Sequence, residues 1–137
     1  MKKLIISATI ILLSGVAYGQ ALKKGVVLSV HAQTVTLNPD VTMNQYLNFY
    51  LNKYIPEFEK ALPGVHFIMS KGNRGVNENG YALIMYVESL EVRDKYWPEP
   101  GVYSELTNAA VAKLQPVMDE LNKLGTSTSE YTDWVIL

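Results

Sequence analysis

The chain contains no cysteine. This absence excludes disulfides, thiolate nucleophiles, zinc ribbons, iron–sulfur ligation and the acylated cysteine of a bacterial lipoprotein. Charge is sparse and nearly balanced, with 12 Lys and Arg against 13 Asp and Glu. Because phosphate binding needs a basic face and these cations are scattered, nucleic acid is not expected as a partner. After Val16 no apolar run approaches the ~20 residues of a membrane span, so none is expected in the mature chain.

The first nineteen residues have the pattern of a secretory leader. A basic start at Lys2 and Lys3 precedes an uncharged apolar run over residues 4–16 and the small residues Ala17 and Gly19. The sequence thus predicts a signal peptide over residues 1–19 and one mature domain over residues 20–137. Export without disulfides, and without any Asn-x-Ser/Thr sequon, favours a bacterial periplasmic or extracellular location. Loss of the two lysines changes the net charge from −1 to −3.

Two hydrophobic periods alternate along the mature chain. Segments with strand character lie at residues 26–36, 65–70, 81–88 and 131–137. Residues 41–62 form an amphipathic pattern behind a capping box at Thr42 and Gln45, and Pro56 should kink that helix or begin a second segment. A short helix is predicted over residues 89–97 and a long one over residues 102–124. Residues 126–130 are predicted to form a polar loop.

The resulting order, β-α-β-β-α-β, is that of the α+β ferredoxin-like fold, in which two helices cover one face of a four-stranded antiparallel sheet. Neither side of the predicted strands is polar. Ile68, Ile84 and Trp134 alternate with equally apolar residues such as Phe67 and Met85, whereas a solvated sheet face should be polar. A second copy of the chain covering the open face, that is, a homodimer, is therefore predicted.

Two junctions extend this pattern into a family resemblance. Leu62 to Val65 joins the first helix to the second strand through Pro63 and Gly64, and the third strand leaves through Glu88 and Ser89. With the element order, these junctions resemble the dimeric α+β barrel superfamily. That group includes antibiotic-biosynthesis monooxygenases, haem-degrading enzymes, polyketide cyclases and stress-responsive proteins. The resemblance covers about residues 25–137 and concerns the fold.

Together with the leader pattern, the resemblance implies an exported homodimer that binds a small, largely apolar or aromatic molecule, with cofactor-independent oxygenase or cyclase-like chemistry as its enzymatic form. No cofactor is predicted. The alternative is a non-enzymatic interaction or structural module of the cell envelope, which the lack of a strong catalytic constellation favours. An open pocket would support the first interpretation, and a cavity filled by side chains the second.

His31 is the candidate catalytic residue. It lies in mid-strand on the same face as Ser29 and Gln33, and an imidazole there can act as a base near neutral pH. The structural alternative is a hydrogen-bonded histidine inside the sheet or at a dimer interface. The other histidine, His66, opens the second strand. The two rings should lie two strand spacings, ~10 Å, apart, so no metal site is predicted.

The remaining candidate ligand-binding residues lie on three strands and one short helix. Arg93, Tyr96 and Trp97 follow the third strand, where the resembling family places a lid over its pocket; the alternative is that both rings pack on the second long helix. Asp133 is expected to pair with a cation such as Arg93, since an unpaired buried carboxylate is costly. The full predicted ligand-binding set is His31, Gln33, Tyr86, Arg93, Tyr96, Trp97 and Trp134.

Overall fold

A computed structural model describes residues 22–137 of the protein. The predicted leader, residues 1–19, and its cleavage site lie outside the described residues. The strands are β1 (Val27–Leu37), β2 (Val65–Lys71), β3 (Tyr81–Val87) and β4 (Gly125–Val135). The helices are α1 (Met43–Phe49), α2 (Ile55–Ala61), α3 (Leu90–Tyr96) and α4 (Glu105–Asn122), with a π-helical turn (Tyr50–Tyr54) between α1 and α2.

The four strands form one antiparallel sheet in the order β2-β3-β1-β4. Two non-adjacent elements of the chain, β1 and β3, therefore lie at the centre, and the last strand lies at an edge. This arrangement, with the helices on one face, confirms the predicted α+β ferredoxin-like fold.

The helical stretch before β2 is built from three consecutive segments. Thr42 begins it with the predicted capping box, in which the Gln45 side chain accepts from the backbone N–H of Thr42. In the π-helical turn the backbone N–H of Ile55 donates to the carbonyl of Tyr50, five residues back. Pro56, which has no N–H to donate, stands in the first turn of α2. The predicted change of segment at this proline is confirmed, and it takes the form of a wide helical turn rather than a break.

The last strand was predicted too short. Residues 126–130, expected to form a polar loop, belong to β4, which begins at Gly125 and pairs with β1 along its full length, from Leu37 opposite Gly125 to Val27 opposite Val135. Every residue of β4 after Gly125 is exposed, so polarity carries no penalty there. Polar residues, including the β-branched Thr126 and Thr128, can therefore extend the strand without the alternation that marks a half-buried one.

The start of the long helix was also misplaced. It begins at Glu105 instead of residue 102, because the Ser104 hydroxyl accepts from the N–H of Thr107 and so caps the helix at that point. Val102 instead makes an isolated bridge with Glu99 in the preceding loop. This loop, residues 97–103, borders the candidate site.

The core lies between the sheet and the helices. Val27, Val65 and Val87 are direct cross-strand partners and are fully buried, together with Leu62 at the end of α2. Tyr46 and Tyr50 are also buried, as expected for a helical stripe that packs inward. Among residues 22–137, no helix has both the length and the apolarity needed to cross a membrane.

The opposite face of the sheet is apolar and uncovered. Cross-strand partners share a face of an antiparallel sheet, and the register thus places one set of mostly large apolar side chains together on the side away from the helices. Ile68 is 54% exposed and Trp134 is 60% exposed. We call this surface the open sheet face; its large apolar residues are Leu28, Val30, Ile68, Ile84, Tyr86 and Trp134, and polar residues such as His66 and Thr132 lie beside them.

Candidate functional site

A cavity of about 690 Å3 lies on the helix side of the sheet, where the helices leave β4 uncovered. Its floor is formed by the central part of β1 and β4, and α3 and the loop 97–103 form its wall. The volume falls within the range of small-molecule sites. Its lining combines aromatic rings with a few polar and charged groups, among them Ser29, His31, Arg93, Trp97, Tyr103, Ser129, Tyr131 and Asp133.

His31 lies on the floor of this cavity. Its Nε2 is 2.9 Å from the Ser29 hydroxyl oxygen, and its Nδ1 is 3.4 Å from the Ser129 hydroxyl oxygen. Tyr131, its direct partner on β4, stacks against the imidazole with the ring centroids 5.0 Å apart and the planes at 16°. Stacking on Tyr131 therefore sets the orientation of the imidazole plane, and the contact with Ser29 holds the Nε2 end of the ring.

The surroundings of His31 favour the neutral imidazole. Burial lowers the pKa of His31 from its ordinary value of 6.5, and the negative charge of Asp133 opposes part of that effect. At neutral pH the ring can therefore accept a proton. The unfolded chain binds the proton more readily than the folded one, so this group makes folding less favourable as the pH falls below 6.5.

The predicted pairing of Asp133 with Arg93 is confirmed. The Arg93 guanidinium donates from Nη1 to Asp133 Oδ2 at 3.0 Å and from Nε to Asp94 Oδ1 at 2.6 Å. The hydrogen bond to Asp94, more than that to Asp133, raises the pKa of Arg93. Because Asp133 also faces His31, the arginine sets how much of the carboxylate charge reaches the imidazole.

We expect Arg93→Gln to raise the pKa of His31. The substitution removes a positive charge and frees the charge of Asp133, which stabilises the protonated imidazole. The pKa is measured by NMR titration of the His31 ring resonances. Lys95→Gln, which removes an exposed cation from the same helix, is the control and should leave the titration unchanged. An identical His31 titration in Arg93→Gln and the unmodified protein would contradict this coupling.

Two of the other predicted ligand-binding residues take part in the cavity. Arg93 and Trp97 line it together with His31. Gln33 is the next residue of β1 on the same face, opposite Ser129, but it is not part of the lining. Its Oε1 is buried without a hydrogen-bond partner among the described residues.

Three predicted ligand-binding residues lie away from the cavity lining. Tyr96 is a core residue, 4% exposed, whose hydroxyl donates to the carbonyl of Pro63, and it lies in one cluster with Ala110 of α4, the long helix on which the alternative placed its ring. Tyr86 and Trp134 are both cross-strand partners of Leu28 and therefore belong to the open sheet face. The two-residue alternation of the strands directs them away from His31.

The two histidines are separated by the sheet. His66 is a partner of Tyr86 on the open sheet face, with its ring nitrogens 3.9 Å from Glu59 and from Glu88, whereas His31 is on the helix side. Among residues 22–137, no three His, Cys, Asp or Glu side chains are arranged to hold a metal ion.

Sequence reasoning missed Tyr131, Ser129 and Tyr103 as parts of the site. The alternation of β4 would have placed Ser129 and Tyr131 beside His31, but that inference needs the register with β1, and residues 126–130 were predicted to form a loop. Tyr103 lies in a loop without periodicity, so no pattern in the sequence indicates its direction.

Solved structures to which the chain is similar, at low sequence identity, include the following three. SnoaB from Streptomyces nogalater, a cofactor-independent oxygenase, is 17% identical with a TM-score of 0.45, and the match covers 82% of this chain and 94% of that one. A variant of SnoaB gives the same identity and TM-score over 81% and 92%. A dimeric Bacteroides fragilis protein of unknown function and ferredoxin-like fold is 16% identical with a TM-score of 0.37, over 82% and 98%.

All of these likenesses have TM-scores of 0.45 or lower and identities of 17% or lower, so none of them assigns an activity or an assembly to this chain. No protein-family model and no curated protein sequence matches the chain. The function is therefore inferred from the geometry of the cavity itself.

Proposed function

We propose that the protein is an exported homodimer that binds a small, largely aromatic molecule in the cavity above His31. The observation that carries this proposal is the cavity itself: about 690 Å3, bordered by aromatic rings and floored by an imidazole whose pKa is lowered. Trp97, Tyr103 and Tyr131 offer apolar surface for a planar ring, and His31 offers a proton acceptor.

This geometry suits a reaction that begins with proton removal. A neutral His31 takes a proton from a weakly acidic C–H or O–H group of the bound ring, and the resulting imidazolium is stabilised by the charge of Asp133. The electron pair stays on the ligand as an electron-rich anion, which can react with dioxygen or close a ring. Cofactor-independent oxygenase and cyclase-like activities share this first step.

The charges of the lining favour a neutral ligand over an anionic one. Asp133 and Glu99 are both part of the lining, whereas its one cation, Arg93, already donates to Asp133 and Asp94. An anion entering the cavity would meet these carboxylates at close range and be repelled by them.

The homodimer rests on the open sheet face. Side chains such as Ile68 and Trp134 are more than half exposed although neighbouring strands align them into one apolar surface. A contiguous surface of this kind marks an interaction site, and a second copy presents a complementary one by two-fold symmetry. The leader pattern of residues 1–19 supports export.

The alternative, a non-enzymatic interaction module, predicts that the space beside His31 is filled by side chains. The open cavity beside His31 favours ligand binding instead.

The proposal is tested first by native mass spectrometry of the mature protein purified from its own host. A mass of two chains with a reproducible small-molecule adduct is expected. Titration with naphthol, followed by tryptophan fluorescence, should show saturable binding. His31→Ala should weaken that binding about tenfold, which corresponds to the loss of one good hydrogen bond, ~1.4 kcal/mol.

His66→Ala is the matched control, since it removes the histidine on the other side of the sheet, and it should bind the probe as the unmodified protein does. Absence of an adduct, together with no saturable binding of naphthol or any neutral analogue, would overturn the proposed function.

A further inference from the structure

We infer that Ser29 is a positioning residue that keeps the proton of neutral His31 on Nε2, so that Nδ1 is the atom that accepts a proton from the ligand. This inference rests on the proposed function and names the atom through which His31 acts. It follows from three features of the site: the unequal contacts of the two ring nitrogens, the burial of Ser29, and the position of Asp133.

The two ring nitrogens differ in how firmly they are held. The Nε2–Ser29 separation of 2.9 Å is that of a good hydrogen bond, whereas the Nδ1–Ser129 separation of 3.4 Å exceeds the usual range of about 2.7–3.2 Å. Ser29 is 1% exposed, while Ser129 is exposed on β4. A ligand can therefore displace the Ser129 hydroxyl to water, but it cannot take the place of Ser29.

Burial makes the Ser29 contact costly to lose. A buried hydroxyl needs a hydrogen-bond partner, and His31 Nε2 is the side-chain partner that the described residues provide for Ser29. The tautomer of a histidine is set by the hydrogen bond that one of its nitrogens makes. Here that bond is made by Nε2.

The charge of Asp133 decides which of the two partners donates. Asp133 is the direct cross-strand partner of Ser29, and Ser29 is the residue that contacts Nε2, so the strand position of Asp133 is at the Nε2 end of the imidazole. A negative charge favours a proton at the nearer nitrogen. Nε2–H then donates to the Ser29 oxygen, and the lone pair of the neutral ring lies on Nδ1, at the Ser129 end.

The proton transfer to His31 needs no reactant other than the ligand. The O–H bond of the ligand breaks, a new N–H bond forms at Nδ1, and the electron pair remains on the ligand oxygen. The imidazolium then has Nε2–H on Ser29 and Nδ1–H on the ligand anion, so both of its donors are satisfied. Ser29 borders the cavity, but in this assignment it acts on the reaction through His31.

Nitrogen NMR of isotope-labelled histidine tests the assignment directly, because protonated and unprotonated ring nitrogens have well-separated chemical shifts. In the unmodified protein above pH 7, His31 should show a protonated Nε2 and an unprotonated Nδ1. Ser29→Ala should shift the population towards the other tautomer, Ser29→Thr should restore the original one by supplying a hydroxyl, and His66→Ala, on the other side of the sheet, should leave it unchanged. A protonated Nδ1 in the unmodified protein would overturn the inference without any variant.

Binding of a probe pair provides a second readout. Naphthol can donate a hydrogen bond to Nδ1, whereas methoxynaphthalene has the same ring system and no proton to donate. The unmodified protein and His66→Ala should bind naphthol about tenfold more tightly than methoxynaphthalene. Ser29→Ala should lose most of this preference while still binding methoxynaphthalene.

The outcomes separate this inference from the proposed function. If neither probe binds, the proposed function fails. If both bind equally well to the unmodified protein, the cavity holds aromatic ligands but Nδ1 does not meet them, and the role assigned to Ser29 is overturned. If Ser29→Ala weakens both probes to the same degree, Ser29 supports only the structure of the floor.

Discussion

Ile68→Glu should convert the proposed homodimer into a monomer. Ile68 projects from β2 on the open sheet face and is 54% exposed in the single chain, so the monomer itself tolerates a charge at this position. In a dimer that buries this face, the carboxylate would be desolvated without a partner. An uncompensated buried charge costs about 3–5 kcal/mol, and two-fold symmetry places one in each subunit. The dissociation constant should rise at least a hundredfold.

Sedimentation equilibrium at several protein concentrations measures this effect. Leu106→Glu is the matched control, since Leu106 is similarly exposed, 55%, but lies on α4 at the other side of the sheet, and it should leave the dimer intact. A monomeric unmodified protein at micromolar concentration, or a dimer unaffected by Ile68→Glu, would contradict the assignment of the open sheet face as the interface.

Leu62→Ala should lower the free energy of unfolding by about 2–5 kcal/mol. Leu62 ends the helical stretch before β2, is 0% exposed and belongs to a cluster with Val27, Val65 and Val87, which lie together at one end of β1, β2 and β3. Removing its branched end deletes buried methyl groups and leaves a cavity that the β-strands, held in register on both sides, cannot close.

Urea denaturation checks the loss. The series is best measured in the Ile68→Glu background, where the chain is expected to be monomeric and stability does not depend on protein concentration. Leu106→Ala removes the same atoms from an exposed site and should change the free energy of unfolding by no more than about 0.5 kcal/mol. Equal losses for the two substitutions would mean that Leu62 is not part of the core.

The order of the elements was predictable because it depends on local patterns. Alternating strand patterns and amphipathic helix patterns can be recognised within windows of a few residues. The same is true of the turn residues Pro63 and Gly64 and of the capping box at Thr42. The first half of β4 was not recognised as a strand because it is polar and exposed. Its extent is fixed by pairing with β1, whose matching residues lie about ninety positions earlier in the chain.

The candidate site was predictable only in part for the same reason. His31, Arg93 and Trp97 were found from their residue types and positions, and the structure places all three around one cavity. Tyr86 and Trp134 have similar chemistry, yet they belong to the opposite face of the sheet. Which side of a sheet a residue occupies depends on register, and a shift of one residue reverses it.

The sequence by itself determined the absence of thiol chemistry, the α+β class, the element order and the apolar character of both sheet faces, because composition and short-range periodicity are properties of the chain alone. The tertiary structure decided that His31 meets Ser29, Ser129 and Tyr131, that Arg93 holds Asp133 beside it, and that a cavity remains where the helices do not cover β4. These contacts join segments up to a hundred residues apart, and only strand register and helix packing bring them together.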